Sequence, residues 1–250
     1  MTQNPRAVLW GRIAEHASRH DRGVSVASVC AVAVASEGVS GAWVTAASGQ
    51  TPDVIMYVTD PVAEQLAELQ LTLGEGPGQD AQASAAPVLV ADLEAGEPSR
   101  RWPVFTPGAR QIGVGAVFAF PLTIGAIRAG VMGMYRSSPG PLPWERFGDA
   151  LTLADAATVL LLDGVGNGGD SGAVSGPLLD GQSPDLALHR AEIDQATGML
   201  TVQLDVPVTE AFARLRAYAY AQDRRLADVA RDIVARRLRL QGDPGRGSGQ

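Results

Sequence analysis

Three histidines and a single cysteine are the residues whose types could ligate a metal or attack a substrate. His16 and His20 are spaced i, i+4, which puts two imidazoles on one helix face, as in part of a zinc site. No cysteine or acidic cluster nearby completes a ligand set and no HExxH occurs, so solvated surface histidines are expected. Cys30 lies in the apolar run VASVCAVAV and reads as a buried structural thiol rather than a nucleophile. No GxSxG elbow is present. All 20 basic residues are arginine, so there is no lysine to serve a P-loop. The glycine-rich stretch LGEGPGQD (residues 73–80) lacks dinucleotide spacing and reads as a loop with special backbone angles. The chain is therefore expected to be non-enzymatic, with no catalytic residues, no metal and no cofactor.

RAEIDQATGML (residues 190–200) raises a different question. Ile193, Ala196, Met199 and Leu200 repeat at helical spacing, yet Thr197 and Gly198 interrupt the middle. Glycine there costs about 1 kcal/mol against alanine. Two readings stand side by side. The small residues permit close helix packing, with the Thr197 hydroxyl bonded to its own turn. Or they leave backbone and hydroxyl open to a ligand, with Gln195 presenting an amide.

Composition bounds the elements that must position these residues. Hydrophobic content of 46% supports a core, and 19% charged residues is below the usual quarter. No apolar run is long enough to span a membrane, and the start lacks a secretory h-region. One cysteine excludes an intrachain disulfide, and together these features fit a cytoplasmic protein. Residues 1–184 carry ten Arg against eighteen acids, a balance of −8. Residues 185–250 carry ten Arg against nine acids, +1, a faint sign of an anionic partner there.

Before residue 163 helix and strand patterns mix. Helices are expected over 5–19, 22–36, 61–72, 103–112 and 144–162. Strands are expected over 41–48, 53–59, 87–93, 116–122 and 129–136, with the last two joined as a hairpin. The stretch 73–87 reads as loop. Hairpins predominate over βα units, so the fold class is α+β: an antiparallel sheet with flanking helices. Residues 164–184, rich in Gly, Ser and Asp, read as a flexible linker. Three helices then follow, over 185–204, 209–222 and 226–240, as an all-α bundle. The tail, 241–250, reads as disordered.

Motifs in both halves resemble known families. IDQATGML (193–200), EAFARLRAYA (210–219) and LADVARDIV (226–234), in that order, resemble the ANTAR domain, the RNA-binding output module of transcription antitermination regulators. LGEGPGQDA (73–81), PVLVADL (87–93), RWPVF (101–105), GVGAVFAFPL (113–122) and AGVMGMYR (129–136) resemble a GAF sensor domain. The implied organisation is a GAF-like sensor over 5–163 and an ANTAR bundle over 185–240. Such GAF domains often carry a cysteine where this chain has Gln79, which removes a thiol role in that loop and support for a haem or metal.

The resemblance implies binding of RNA stem-loops in nascent transcripts, a homodimer, and an unidentified small-molecule ligand of the GAF domain. Unpaired loop bases are the usual targets of sequence-specific RNA recognition, with arginines on phosphates. The candidate RNA-binding residues are Gln195, Thr197, Gly198, Arg216, Tyr220, Arg224 and Arg225. Arg216 either pairs with Asp194 or Glu192 or reaches RNA. Tyr218 and Tyr220 diverge by about 200° on a helix, and Tyr220 is the better placed for an exposed stacking surface. Arg231, Arg236, Arg237 and Arg239 read mainly as a solvated face. The alternative is a ligand-binding GAF module whose bundle makes protein contacts; a helix-turn-helix bound to DNA ranks below it.

Overall fold

The computed structural model describes residues 5–48, 51–166 and 184–241. The chain divides after Gln182 into two compact units, each taken by itself below. The expected linker (164–184) overlaps the described residues only at its ends: helix runs through Gly166 and resumes at Pro184. Residues 167–183 and the tail beyond 241 lie outside the described residues.

The first unit begins with α1 (Pro5–Arg19) and α2 (Val26–Glu37), followed by β1 (Gly41–Ser48) and β2 (Thr51–Val58). Then come α3 (Pro61–Leu73), α4 (Pro77–Ser84), β3 (Val88–Val90), α5 (Gly96–Arg101) and α6 (Phe105–Gln111). The hairpin β4 (Ala116–Ile124) and β5 (Ile127–Arg136) precedes α7 (Trp144–Gly166). The strands form one sheet in the order β2-β1-β5-β4-β3. The pairs β1–β5, β4–β5 and β3–β4 are all antiparallel, as the expected α+β class requires.

Strand alternation divides the sheet side chains between two layers. Ala42, Val44, Phe118, Phe120, Met132 and Met134 enter the main core with α1, α2 and α7. α2 is apolar on nearly every side because neighbours cover it on nearly every side. It starts at residue 26, not 22: Asp21 closes α1 in a left-handed conformation, and the Ser25 amide donates to Ser28 Oγ at 3.1 Å. The opposite layer holds Trp43, Ala119 and Val131, with Ala81 of α4 packed on the last two. Trp43 is in register with Gly133, and a Cβ built on Gly133 would overlap the Trp43 indole. The glycine is there because the tryptophan lies across it.

α4 corrects the expected loop over 73–87. Gly74 ends α3 at φ 68°, Gly76 turns the chain at φ 129°, and Pro77 then opens a new helix. The buried Gln70 side chain holds this corner, its Oε1 accepting the Gly78 amide at 2.7 Å. Small residues that look like loop composition let α4 lie on the sheet. α5 is likewise a short helix that periodicity did not indicate.

The second unit is three helices, α8 (Pro184–Leu204), α9 (Val208–Ala221) and α10 (Leu226–Val234). Ala196, Leu200, Phe212, Leu215, Val229 and Ile233 are buried in its core. All three helices end in the same way. Asp205, Asp223 and Arg236 have positive φ of 52°, 48° and 57°. The next amides, of Val206, Arg224 and Arg237, donate to Thr201, Ala219 and Asp232 carbonyls at 3.2, 2.9 and 2.8 Å. These are Schellman closures. The third shortens the expected helix 226–240, which stops at Val234. The chain then turns back, and the buried Leu240 accepts at its carbonyl from Gln203 Nε2 at 2.6 Å.

Candidate nucleic-acid interface

α8 sorts the RAEIDQATGML motif by face. Ala196 and Leu200 are fully buried, and Thr197 is 3% exposed. Gln195, Gly198 and Val202, at i, i+3 and i+7, are exposed. The Thr197 hydroxyl donates to the Ile193 carbonyl at 2.7 Å, and Thr201 repeats the bond to Thr197 at 3.0 Å. Thr197 therefore serves its own helix, and the expectation of a hydroxyl open to RNA is corrected: burial takes it out of reach.

Gly198 has the opposite character. A Cβ built there meets no heavy atom within 4 Å, so packing does not demand glycine. It lines an open groove of about 710 Å³ between α8 and the segment that turns back after α10. Met199 and Val202 line the same groove from α8, and Arg236, Leu238 and Arg239 line it from the other side. Val202 is 85% exposed, a large apolar surface left in the open.

The arginines separate by their partners. Arg224 contacts Asp232 Oδ2 at 2.7 Å, and Arg237 contacts Oδ1 of the same carboxylate, also at 2.7 Å. Those two bonds hold Asp232 below the usual carboxylate range. Arg231 bridges Glu192 at 3.1 Å and Asp228 at 3.2 Å, tying α10 to α8. Arg190 lies 4.0 Å from Asp194. Arg216 sits over the Phe212 ring, 5.7 Å from its centroid. Arg224 is thus a clamp between the α9–α10 turn and α10. Arg225 flanks that turn, its carbonyl accepting from Val229 at 3.2 Å. Arg236 and Arg239 are exposed and are paired with no carboxylate among the described residues. Tyr220 is 56% exposed, as its helical position implied, while Tyr218 is half-buried.

The predicted residues do not all converge. Gln195 and Gly198 line the groove; Arg216, Tyr220, Arg224 and Arg225 belong to α9 and its following turn. Sequence reading passed over Val202 and Gln203, and took Arg236 and Arg239 mainly as a solvated face. The signal that could have found Val202 is its place on the Gln195–Gly198 stripe.

In the first unit, Gln79 lines a cavity of only about 20 Å³ beside Trp43, Gln70 and Val131. That is room for about one water, because the Trp43 indole fills the layer. Cys30 is fully buried, and burial pushes its thiol well above the ordinary range, which disfavours the thiolate that a nucleophile needs. His16 and His20 stack with centroids 4.4 Å apart, and His20 Nδ1 lies 2.9 Å from the His16 carbonyl. Partial burial and the neighbouring His20 and Arg19 charges lower His16.

The molecule thus joins an antiparallel α+β unit to a three-helix bundle with an open, arginine-bearing groove. Residues 187–234, within the C-terminal unit, match the ANTAR domain family. No curated protein matches the chain. Solved structures similar to it include the GAF domains of phosphoenolpyruvate-protein phosphotransferases from Acinetobacter (13% identity) and Coxiella burnetii (11%). Each has a TM-score of 0.48 and covers 66% of this chain and 99% of that one. The GAF-B domain of DevS from Mycobacterium smegmatis is 22% identical with a TM-score of 0.40, covering 55% of this chain and 90% of that one. Likenesses at these scores say nothing about ligand or activity. No described helix is long and apolar enough to cross a membrane.

Proposed function

We propose that the chain is a cytoplasmic, non-enzymatic regulator that binds RNA hairpins in nascent transcripts through its ANTAR domain and so controls transcription termination. The ANTAR match over 187–234 carries this reading. The open groove supports it, since Arg236 and Arg239 have no carboxylate partner among the described residues and can replace counterions on phosphates. The antiparallel sheet and the motifs over 73–136 support a GAF-like sensor in the first unit. Its ligand is unidentified, and the cavity beside Gln79 as it stands has room for only about one water. We place self-association on α7, where Trp144, Leu151 and Val159 are exposed along one helix. A homodimer would present two ANTAR domains to paired hairpins and gain from effective concentration.

The test is titration of the full chain with a pool of two-hairpin RNAs against duplex DNA at two salt concentrations. The reading expects saturable RNA binding that weakens with salt and exceeds DNA binding. Equal or absent binding of both would refute it and favour a bundle that makes protein contacts.

A further inference from the structure

Gly198 and two arginines with no carboxylate partner among the described residues, Arg236 and Arg239, come together at one place. The groove between α8 and the segment after α10 has apolar lining from Met199, Val202 and Leu238. Arg236 and Arg239 add positive charge that no described carboxylate offsets, whereas Arg224, Arg231 and Arg237 nearby are each paired. Gln195 lines the same groove, and its exposed amide has no partner among the described residues. We infer that this groove holds a single unstacked base of an RNA loop. The base lies against Val202, Met199 and Leu238, its edge meets the Gln195 amide, and Arg236 and Arg239 hold the flanking phosphates. The inference rests on the RNA reading above and assigns the residues that carry it.

Charge and shape decide for a nucleotide. A groove of about 710 Å³ falls within the roughly 300–1,000 Å³ of sites that take small ligands. Apolar walls beside uncompensated cations match a flat base attached to phosphates, and single-stranded loops offer bases already out of the stack. Gly198 is what keeps the groove open: it is the point on the exposed α8 stripe where any side chain would project into empty space. The positive φ of Arg236 builds the other wall by ending α10 and sending the chain back past α8.

The experiment compares hairpins selected from a randomised-loop RNA pool with the same hairpins carrying one abasic loop position at a time, on the full chain. Phosphates are then constant and only the base is removed. Wild type is expected to lose about tenfold in affinity at one position, the scale of one base contact. Gly198→Leu should bind the natural loop as weakly as wild type binds the abasic one, and should not distinguish the two. Arg236→Ala with Arg239→Ala should lower the salt slope by about 0.7 for each phosphate that no longer meets an arginine. Selected RNA that binds Gly198→Leu as tightly as wild type, or no sensitive abasic position, would overturn the groove while leaving RNA binding by the domain intact. Gly198→Leu changing self-association with RNA affinity unchanged would also overturn it, making the groove an interface between copies. No selectable RNA at all would overturn both readings.

Discussion

Gly198→Ala separates packing from recognition more sharply than any other change in the bundle. Glycine inside a helix costs about 0.8–1 kcal/mol against alanine, from backbone entropy alone. Normally that cost is tolerated where a neighbour comes too close for a Cβ. At 198 a Cβ meets no heavy atom within 4 Å, so the alanine gives back the entropy and adds no clash. The expected gain is about 0.5–1 kcal/mol of bundle stability. A global melt would blur this, since two units need not unfold together. All four tryptophans, at 10, 43, 102 and 144, belong to the first unit, so their fluorescence does not report on the bundle. Native-state hydrogen exchange of the core amides of α8 and α10 isolates it. Protection there should rise about two- to fivefold in the variant, with no change in the sheet. Faster exchange would mean that the glycine is a packing requirement, and that the groove has no claim on it.

Three further outcomes follow from the same structure. Gly133→Ala should destabilise the first unit strongly, because its methyl overlaps the Trp43 indole. The cost should be much smaller in a Trp43→Ala background, and a double-mutant cycle by urea unfolding that comes out additive would count against the contact. Asp232 is held low in the folded chain by Arg224 and Arg237. Its contribution is therefore complete above the unfolded carboxylate value of about 4 and is lost as pH falls through the lower folded value. Asp232→Asn should weaken the bundle at neutral pH and flatten its acid response, read by helical circular dichroism. Leu151→Glu with Val159→Glu, both exposed on α7, should yield monomer in sedimentation velocity while leaving secondary structure unchanged; a persistent dimer would move self-association elsewhere.

Periodicity sufficed for the elements whose apolar faces repeat. The β4–β5 hairpin and α7 lie where VFAF, GVMGMY and the 144–162 stripe put them, and α9 moved by one residue at each end. It failed where tertiary contacts overrode local composition. GEGPGQDAQAS looks like loop until Gln70 and the sheet are there to receive it. The far end of α10 failed for the opposite reason. The apolar spacing of 226–238 continues cleanly past Val234, and nothing in the residue type of Arg236 announces a left-handed turn. The bonds that stabilise it are backbone bonds, Arg237 and Leu238 amides to the Asp232 carbonyl at 2.8 and 3.1 Å, invisible to side-chain pattern.

The candidate site shows the same asymmetry more acutely. Exposed arginine is a common surface residue, and from sequence alone Arg224 at a turn looks as suited to phosphate as Arg236 in a helix. Pairing decides between them. To reach a phosphate, Arg224 must leave Asp232, and the carboxylate it leaves behind would repel the same phosphate. Arg236 and Arg239 give up no described ion pair. The shift of α10's end matters here for function as well as fold. Had the helix run on to 240, Arg236 and Arg239, at i and i+3, would have shared a face, but Leu238 would have pointed about 160° away from Arg236. By stopping at Val234 and turning back, the chain brings these three residues to one groove, opposite the only glycine in α8.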